Sequence, residues 1–459
     1  MAAAAIDRSR LRDIIDHVHA GLVERDAQAR CLVLAVLCGE HALFIGPPGT
    51  AKSELARRLH SVAGGLFFER LLTRFTVPEE LFGPLSLAAL DQGRYERDVQ
   101  GYLPTATIAF LDEVFKANSA ILNALLTLLH EREFDQGAIR LKTPLISVVA
   151  ASNEVPDDEA LLAFYDRFLL RCPVAPVSEA AFVALLASEP CDTPAPPGFT
   201  PEQLAVSQAQ ARAVVVPGGI VSALLVLRAV LADASITVSD RRWVRIVRAL
   251  RVAAWANQRA EVSLTDLFVL PFMVCERDEQ VVVVRDWVAG LLGGRDAVDP
   301  QWLGRVVQAF DKQIELEASA AEVAFDDSGK LALMRNLGGA DEQAMPGSAP
   351  RLSAFSRRRH YSATHLAARL AQIDGVIAEV DDFLARGSAH REAVAGDLAA
   401  NLWVPPDFAR RVLEVMTLNR DRVALLQAQL RRVRAAIDAL PRAPTDDGRV
   451  PDPMAVDGR

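Results

Sequence analysis

No stretch narrows the possible folds of this 459-residue chain more than Gly46-Pro47-Pro48-Gly49-Thr50-Ala51-Lys52-Ser53. The apolar run Ala42-Leu43-Phe44-Ile45 before it reads as a short buried strand, and Glu54-Leu55-Ala56-Arg57-Arg58-Leu59 after it reads as the opening of a helix. A glycine-rich turn between strand and helix is the context of a phosphate-binding loop. Its glycines let backbone N–H groups converge on an anion, and the helix N-terminus adds partial positive charge. In that frame the backbone of 46–53 cradles the phosphates, Lys52 reaches the outer ones, and the Ser53 hydroxyl ligates Mg²⁺. Glycine usually stands directly before the lysine; Ala51 is tolerable there if that position already enters the helix. The competing reading is a Gly/Pro turn that carries a lysine and a serine by chance.

Further strands follow in the right order. Phe67 to Leu72 reads as a strand, and Thr76 to Thr107 as a turn-rich, hairpin-like insertion. Thr107-Ile108-Ala109-Phe110-Leu111-Asp112-Glu113 is an apolar run ending in two carboxylates, as a buried parallel strand delivers them at the edge where ligands bind. There Asp112 would hold Mg²⁺ through water and Glu113 would orient the attacking water. Leu145 to Asn153 is another buried strand, whose Asn153 either holds that water or closes the strand as a turn residue. Ahead of the loop, helices are expected over 6–20 and 26–37. The turn Gly21 to Arg25 between them, with Val23, is either a wall for the nucleotide base or a helix connector.

Composition bounds the rest. Hydrophobic residues make up 51% of the chain and aromatics 6%, which describes a soluble, Ala/Leu/Val-rich helical protein rather than a sheet-dominated one. The formal net charge of -9 supplies no global attraction to nucleic acid. Five scattered cysteines lack metal-ligand spacing and suit a reducing, cytoplasmic setting. No apolar stretch is long enough to span a membrane. Beyond a proline-rich linker at 190–201 the pattern turns helical, with Ile220 to Leu231 and Arg241 to Trp255 the strongest segments. Arg241 and Arg242 in a first helical turn oppose the helix dipole, a hint of an outside anion or a solvated face. Leu366 to Leu384 and Leu426 to Leu440 carry apolar stripes at spacings of three and four, which with Pro405-Pro406 and a middle helix predict an antiparallel bundle. Arg357-Arg358-Arg359-His360 and Arg431, Arg432, Arg434 are the only basic patches along the chain, read as solvated faces.

The order of phosphate loop, Asp-Glu strand, strand ending in Asn, Asp166-Arg167-Phe168, proline linker and arginine-led helix resembles the AAA+ ATPases, specifically the MoxR group and its RavA-like branch. Pro78-Glu79-Glu80-Leu81-Phe82-Gly83-Pro84, Gly93-Arg94-Tyr95-Glu96-Arg97, Gly101-Tyr102-Leu103-Pro104 and Ser239-Asp240-Arg241-Arg242-Trp243 carry the same likeness over about residues 6–290. The resemblance implies an ATP- and Mg²⁺-dependent hydrolase acting as a remodelling or maturation chaperone in a ring, expected to be a hexamer, with a von Willebrand factor A-domain partner. It makes Asn153 sensor 1, Arg167 an arginine finger for the neighbouring subunit with Arg171 a weaker candidate, and Arg241 sensor 2. Residues 76–107 and Phe134 to Pro144 would face a central pore. The implied division is an α/β core at 1–189, a helical lid at 190–290, a helical stalk at 291–443 interrupted by a loop at 325–359, and a disordered tail at 444–459. RavA-like proteins carry a β-rich module that binds a lysine decarboxylase. Here about 35 residues without strand pattern fill that slot, which speaks against such a partner. A nucleic-acid motor and an ATP-gated scaffold are the alternatives from other classes.

Overall fold

Apolar runs of four to six residues that alternate with helices can bury both faces only in a parallel sheet, and that is where they lie. The computed structural model describes residues 6–137, 139–156, 158–187, 194–293, 299–319, 321–323, 356–358, 360–446 and 448–452. Helices α1 (Arg8–His19) and α2 (Asp26–Cys38) precede β1 (Ala42–Ile45), and α3 (Lys52–Ala63) leads to β2 (Phe67–Leu71). Short helices α4 (Pro78–Phe82) and α5 (Leu87–Leu90) come before β3 (Ile108–Asp112) and α6 (Ser119–Glu131). A hairpin of β4 (Glu133–Gln136) and β5 (Ile139–Lys142) then precedes β6 (Ser147–Ser152), α7 (Glu159–Tyr165), β7 (Leu170–Pro173) and α8 (Glu179–Leu186).

The five-stranded sheet has the order β2-β3-β6-β1-β7 with every pairing parallel. All strands therefore end on one edge, which gathers the residues that follow β1, β3 and β6. Leu43, Leu111, Val148 and Ala150 of the sheet pack with Ile121, Leu125 and Leu128 of α6 and with Phe164 and Phe168 in one buried cluster. Full burial of such a leucine or isoleucine contributes about 1.5–3 kcal/mol, so this cluster sets the sheet against α6. The insertion is a hairpin with helices on it. Ser86 N donates to Glu96 O at 2.8 Å and Asp98 N to Pro84 O at 2.8 Å, while α5 caps the tip. It joins the β4–β5 hairpin through a Phe82–Phe134 ring stack at 5.4 Å and a Gln136 Nε2 bond to Arg97 O. Gly137 is required at that junction, because a Cβ there would fall 2.4 Å from Tyr95 O. Phe75, Leu87, Tyr95 and Ile139 stay exposed on these two elements.

Helices α9 (Pro201–Ala211), α10 (Gly218–Asp233), α11 (Asp240–Ala256), α12 (Pro271–Val274) and α13 (Asp278–Leu292) follow. Thr200 and Gln203 cap α9 reciprocally and Ser239 caps α11, satisfying the free N–H groups of each first turn. Met1–Leu292 together with Val394–Val412 make one compact unit, and Gly293–Ala393 with Leu413–Arg459 a second. In the first, Trp403 is fully buried with its Nε1 donating to Ala253 O at 3.0 Å.

The second unit contains α14 (Pro300–Ser319), β8 (Ala321–Val323), β9 (Ser356–Arg358) and most of α15 (Ala363–Ala400) and α16 (Pro406–Asp438). Leu303 and Phe310 of α14, Ile373 and Val380 of α15, and Leu430 and Ile437 of α16 share its core. Pairs Asp374–Arg434 and Asp381–Arg431 run in opposite sequence directions, so α15 and α16 are antiparallel as the stripes predict. Three expectations change. No separate middle helix exists, because α15 continues to Ala400 with no proline to stop it. The stretch from 325 to 359 ends in a strand, β9, which pairs antiparallel with β8; residues 324–355 lie outside those described. The expected disordered tail is tethered where it is described: Thr364 Oγ1 bonds Asp446, and Arg369 Nη1 donates to Asp452 O. Among the described residues no helix is long and apolar enough to cross a membrane.

Candidate active site

The loop from Gly46 to Ser53 leaves β1 at the C-terminal edge and closes on its own lysine. Lys52 Nζ donates to Gly46 O at 2.8 Å and Pro47 O at 2.7 Å, and Thr50 Oγ1 donates to Pro47 O at 2.9 Å. The ammonium thus shapes the cradle from within. Burial lowers the Lys52 pKa, offset in part by the negative charges of Asp112 and Glu113. Gly46 has no alternative, since a Cβ would lie 2.1 Å from Val174 O at the end of β7. Pro48 and Gly49 form the exposed tip of the loop, Gly49 at φ +77°. Ala51 does not enter the helix as expected. It is the N-cap residue at φ +66°, a left-handed conformation that costs an alanine about 1–2 kcal/mol and a glycine nothing. Ser53 sits in the first turn of α3.

A residue that sequence reading passed over holds this loop to the sheet. Arg25, buried, donates through Nε to Thr50 O at 3.0 Å and through Nη2 to Ala175 O at 2.8 Å. Half-buried Val23 lies two residues before it in the same turn, and Glu24 accepts from the backbone N of Ser178, the cap of α8, at 2.8 Å.

Asp112 ends β3, and its Oδ1 accepts from Glu113 N at 3.0 Å. Glu113 itself is at φ +52°, a position most residues avoid, which turns its carboxylate back towards β6. There Asn153 Nδ2 donates to Glu113 Oε1, and Lys116 Nζ lies 3.2 Å from the same oxygen. Asn153 and Glu113 are therefore neighbours across the sheet edge, as the strand order requires. The Ser53 hydroxyl and the Asp112 carboxylate are oxygen donors of the kind a hard cation takes. Among the described residues no group of three or more His, Cys, Asp or Glu side chains could hold a metal ion.

The remaining candidates lie elsewhere. Arg167 and Arg241 line a cavity of about 510 Å³ with His130, Arg132, Arg245 and Arg248. This cavity includes Gly39, Glu40 and His41, which precede β1, whereas the phosphate loop follows β1. Four extended residues separate the two, roughly 13 Å. Arg241 Nη2 donates to His130 Nδ1 at 2.7 Å, and burial with the charges of Arg241 and Arg167 lowers the His130 pKa. Arg132 is pushed down to about 10 by burial; its Nη2 donates to Gly39 O at 2.7 Å. Its Nη1 and the Nε of Arg167 find no partner among the described residues. A second cavity, about 540 Å³, adds Arg212 and Arg251 to Arg245 and Arg248. Seven arginines thus face the two cavities against one carboxylate, Glu40, which Arg245 pairs. This basic surface coincides with neither of the two patches read along the chain, of which Arg359 lies outside the described residues.

Two arginines serve differently from expectation. Arg171 is buried on β7 with its guanidinium 3.8 Å above the Tyr165 ring, so it is not presented to a neighbour. Arg242, whose position hinted at an outside anion, is buried against Met273 O, Phe168 O, Leu169 O and Asp166. Only Arg241 of that pair reaches a cavity.

Comparisons with known proteins accord with this geometry. Residues 9–192 match the family model described as the MoxR domain in MoxR-vWA-beta-propeller ternary systems, and residues 219–288 match an AAA lid domain. Two uncharacterized proteins of Methanocaldococcus jannaschii are similar, one 38% identical over 60% of this chain and 72% of its own, the other 40% identical over 57% and 70%. Chaperone MoxR1 of Mycobacterium tuberculosis is 27% identical over 33% of this chain and 41% of its own.

Proposed function

The chain belongs to the MoxR family of AAA ATPases, and from that premise we propose that it is a Mg²⁺-dependent ATP hydrolase that works as a ring and remodels protein partners. One observation carries the ring: the phosphate loop and the Arg167–Arg241 cavity lie at opposite ends of β1, so a single protomer cannot bring both to one phosphate. Head-to-tail packing does so, and a closed cycle of such contacts, with six protomers as the resemblance implies, completes every site.

In this reading the backbone of 46–53 and Lys52 bind the triphosphate, and Val23 forms the wall beside the base. Mg²⁺, held by Ser53 and Asp112, would screen charge on the transferring phosphate. Glu113 accepts a proton from, and orients, a water that Asn153 holds from the other side. Arg167 and Arg241 of the next protomer meet the outer phosphate and stabilise the charge that builds there. The lid arginine, sensor 2 by resemblance, thus acts on the neighbour beside the finger. The matched model's description supports a von Willebrand factor A-domain partner, with a β-propeller protein in the same system. A RavA-like placement rests on the three-helix unit alone, and a lysine decarboxylase is not proposed.

The seven arginines are the one observation favouring a nucleic-acid motor, but no Phe, Tyr or Trp side chain lines either cavity for base stacking. Salt-sensitive DNA binding lost in Arg248→Glu would favour that reading. The hydrolase is tested by Glu113→Gln. ATP affinity should stay within about twofold while turnover falls at least tenfold, about 1.4 kcal/mol of barrier. Turnover within twofold of wild type would remove the assignment.

A further inference from the structure

Helix α11 carries Arg241, Arg245, Arg248 and Arg251 at spacings of four, three and three, so they leave one side of the helix in a row about 15 Å long. The row starts in the cavity of Arg167 and Arg241 and ends in the second cavity of about 540 Å³, and Glu40, Arg245 and Arg248 line both. Like charges one helical turn apart repel. The second cavity adds Arg212 from the end of α9, while its one carboxylate, Glu40, is already held by Arg245. Arg212, Arg248 and Arg251 have no hydrogen-bond or ion-pair partner among the described residues, and the Nε of Arg251 is buried without one. Three guanidinium groups thus share one cavity with nothing to balance them.

The walls that hold them are fixed. Gln208 of α9 donates through Nε2 to Leu37 O at 3.0 Å, and Trp255 Nε1 of α11 donates to Gln210 Oε1 at 3.1 Å. Helix α9 is therefore fastened to the end of α2 and to α11. No lysine lines the cavity, so an anion would be read there by guanidinium forks rather than by point charges. A carboxylate presents one planar edge, which suits one fork. A phosphate is tetrahedral, and its four oxygens can take several forks at once. The absence of Phe, Tyr and Trp from the lining leaves nothing for a nucleotide base to stack on.

We propose that this second cavity is a site for inorganic phosphate, held by Arg212, Arg248 and Arg251 and separate from the phosphate loop. Two sources share that chemistry. One is the phosphate that hydrolysis leaves in the first cavity, from which the α11 row leads into the second. The other is phosphate from solution. The first source rests on the ring reading above; the site itself does not.

The test titrates inorganic phosphate calorimetrically into the full-length protein while Mg-ADP occupies the phosphate loop. Wild type should bind phosphate, and Arg212→Ala/Arg251→Ala should weaken that binding at least tenfold. Arg212→Lys/Arg251→Lys keeps both charges and loses the forks. It should weaken binding at least threefold, a reading that does not depend on the alanine variant folding. Arg228→Ala, exposed on α10 and outside both cavities, should stay within about twofold of wild type. No phosphate binding by wild type, unchanged binding in the alanine variant, full affinity in the lysine variant or an equal loss in Arg228→Ala would overturn the inference. So would a polyglutamate peptide that displaces phosphate and binds more tightly, because the occupant would then be an acidic protein segment. Single-turnover hydrolysis with a fluorescent phosphate sensor separates the two sources. Release slower in wild type than in the alanine variant, with ATP cleavage equal in both, identifies the product as the occupant; equal release keeps the site and identifies phosphate from solution. A wild-type chain that never assembles with ATP would overturn the ring reading, while the titration still decides the site.

Discussion

Asn153 and Glu113, forty residues apart in sequence and each directly following one of two neighbouring strands, are hydrogen-bonded side chain to side chain at the C-terminal edge of the sheet. The bond pins the carboxylate proposed to orient water, and Lys116 approaches the same oxygen from one turn on. These two neighbours differ in what they offer: Asn153 also holds a donor for the water, whereas half of the Lys116 side chain is in solvent. Asn153→Ala should therefore lower turnover at least tenfold with ATP affinity nearly unchanged, and Lys116→Ala should change it by less than about threefold. Steady-state hydrolysis of the two variants checks the ranking; a larger loss from Lys116→Ala would reverse their roles.

Arg25 touches the loop only through its backbone, so its effect on nucleotide binding should be indirect. Loss of its buried, charge-assisted bonds in Arg25→Ala is expected to cost about 2–3 kcal/mol of stability. ATP affinity should fall about tenfold, because the loop is no longer tied to the end of β7. Thermal unfolding with titration of a fluorescent nucleotide measures both. Unchanged affinity in a destabilised variant would mean that the loop holds its own shape.

Arg167 and Arg171 are separable by assembly. Arg167→Ala should abolish hydrolysis, and mixing it with Glu113→Gln should restore a fraction, since some interfaces then pair an intact Glu113 with an intact Arg167. Arg171→Ala should instead lose about 1–3 kcal/mol of stability even in an unassembled protomer, through its packing on Tyr165. Recovery by mixing with Arg171→Ala and not with Arg167→Ala would exchange their roles.

His41 makes the fold pH-sensitive. It is buried, its Nδ1 accepts from Val148 N at 2.9 Å and its Nε2 meets Leu129 O at 3.0 Å, so the ring is neutral. Burial, with the charges of Arg132 and Arg245, holds its pKa well below the usual value of 6.5. The unfolded chain then binds the extra proton first, so stability is lost as pH falls below about 6.5, by up to about 1.4 kcal/mol per pH unit from this group. Chemical denaturation at several pH values should show a shallower slope in His41→Gln; equal slopes would refute the assignment.

The α/β order, the phosphate loop and the Asp112–Glu113 strand were legible because each is local: a period of two or of 3.6, a turn residue, a carboxylate at the end of an apolar run. The arginine surface was not. Arg132 comes from the end of α6, Arg167 from the turn before β7, Arg212 from the end of α9 and Arg248 from α11, and no sequence window holds more than part of the set. Ala51 misled for a different reason. Helical propensity argues for its joining α3, but the loop must reverse there, and Lys52 with the sheet behind it outweighs the preference of one residue. The continuous α15 was not legible because the apolar stripe was read only as far as Leu384, whereas the helix runs on to Ala400.

The Arg242 guanidinium, enclosed by carbonyl oxygens from α12 and from the approach to β7, has a mechanical meaning. It acts as a rivet between α11 and the edge of the sheet, and burial without full charge compensation pushes its pKa down to about 9. A plate fixed at such a rivet does not swing open over the nucleotide. In the proposed ring, whatever ATP changes at the tip of the loop must then leave each protomer as the tilt of one stiff body against the next. Spin labels beside Phe168 and Met273 would report this as a distance that hydrolysis leaves unchanged, while distances between protomers shift.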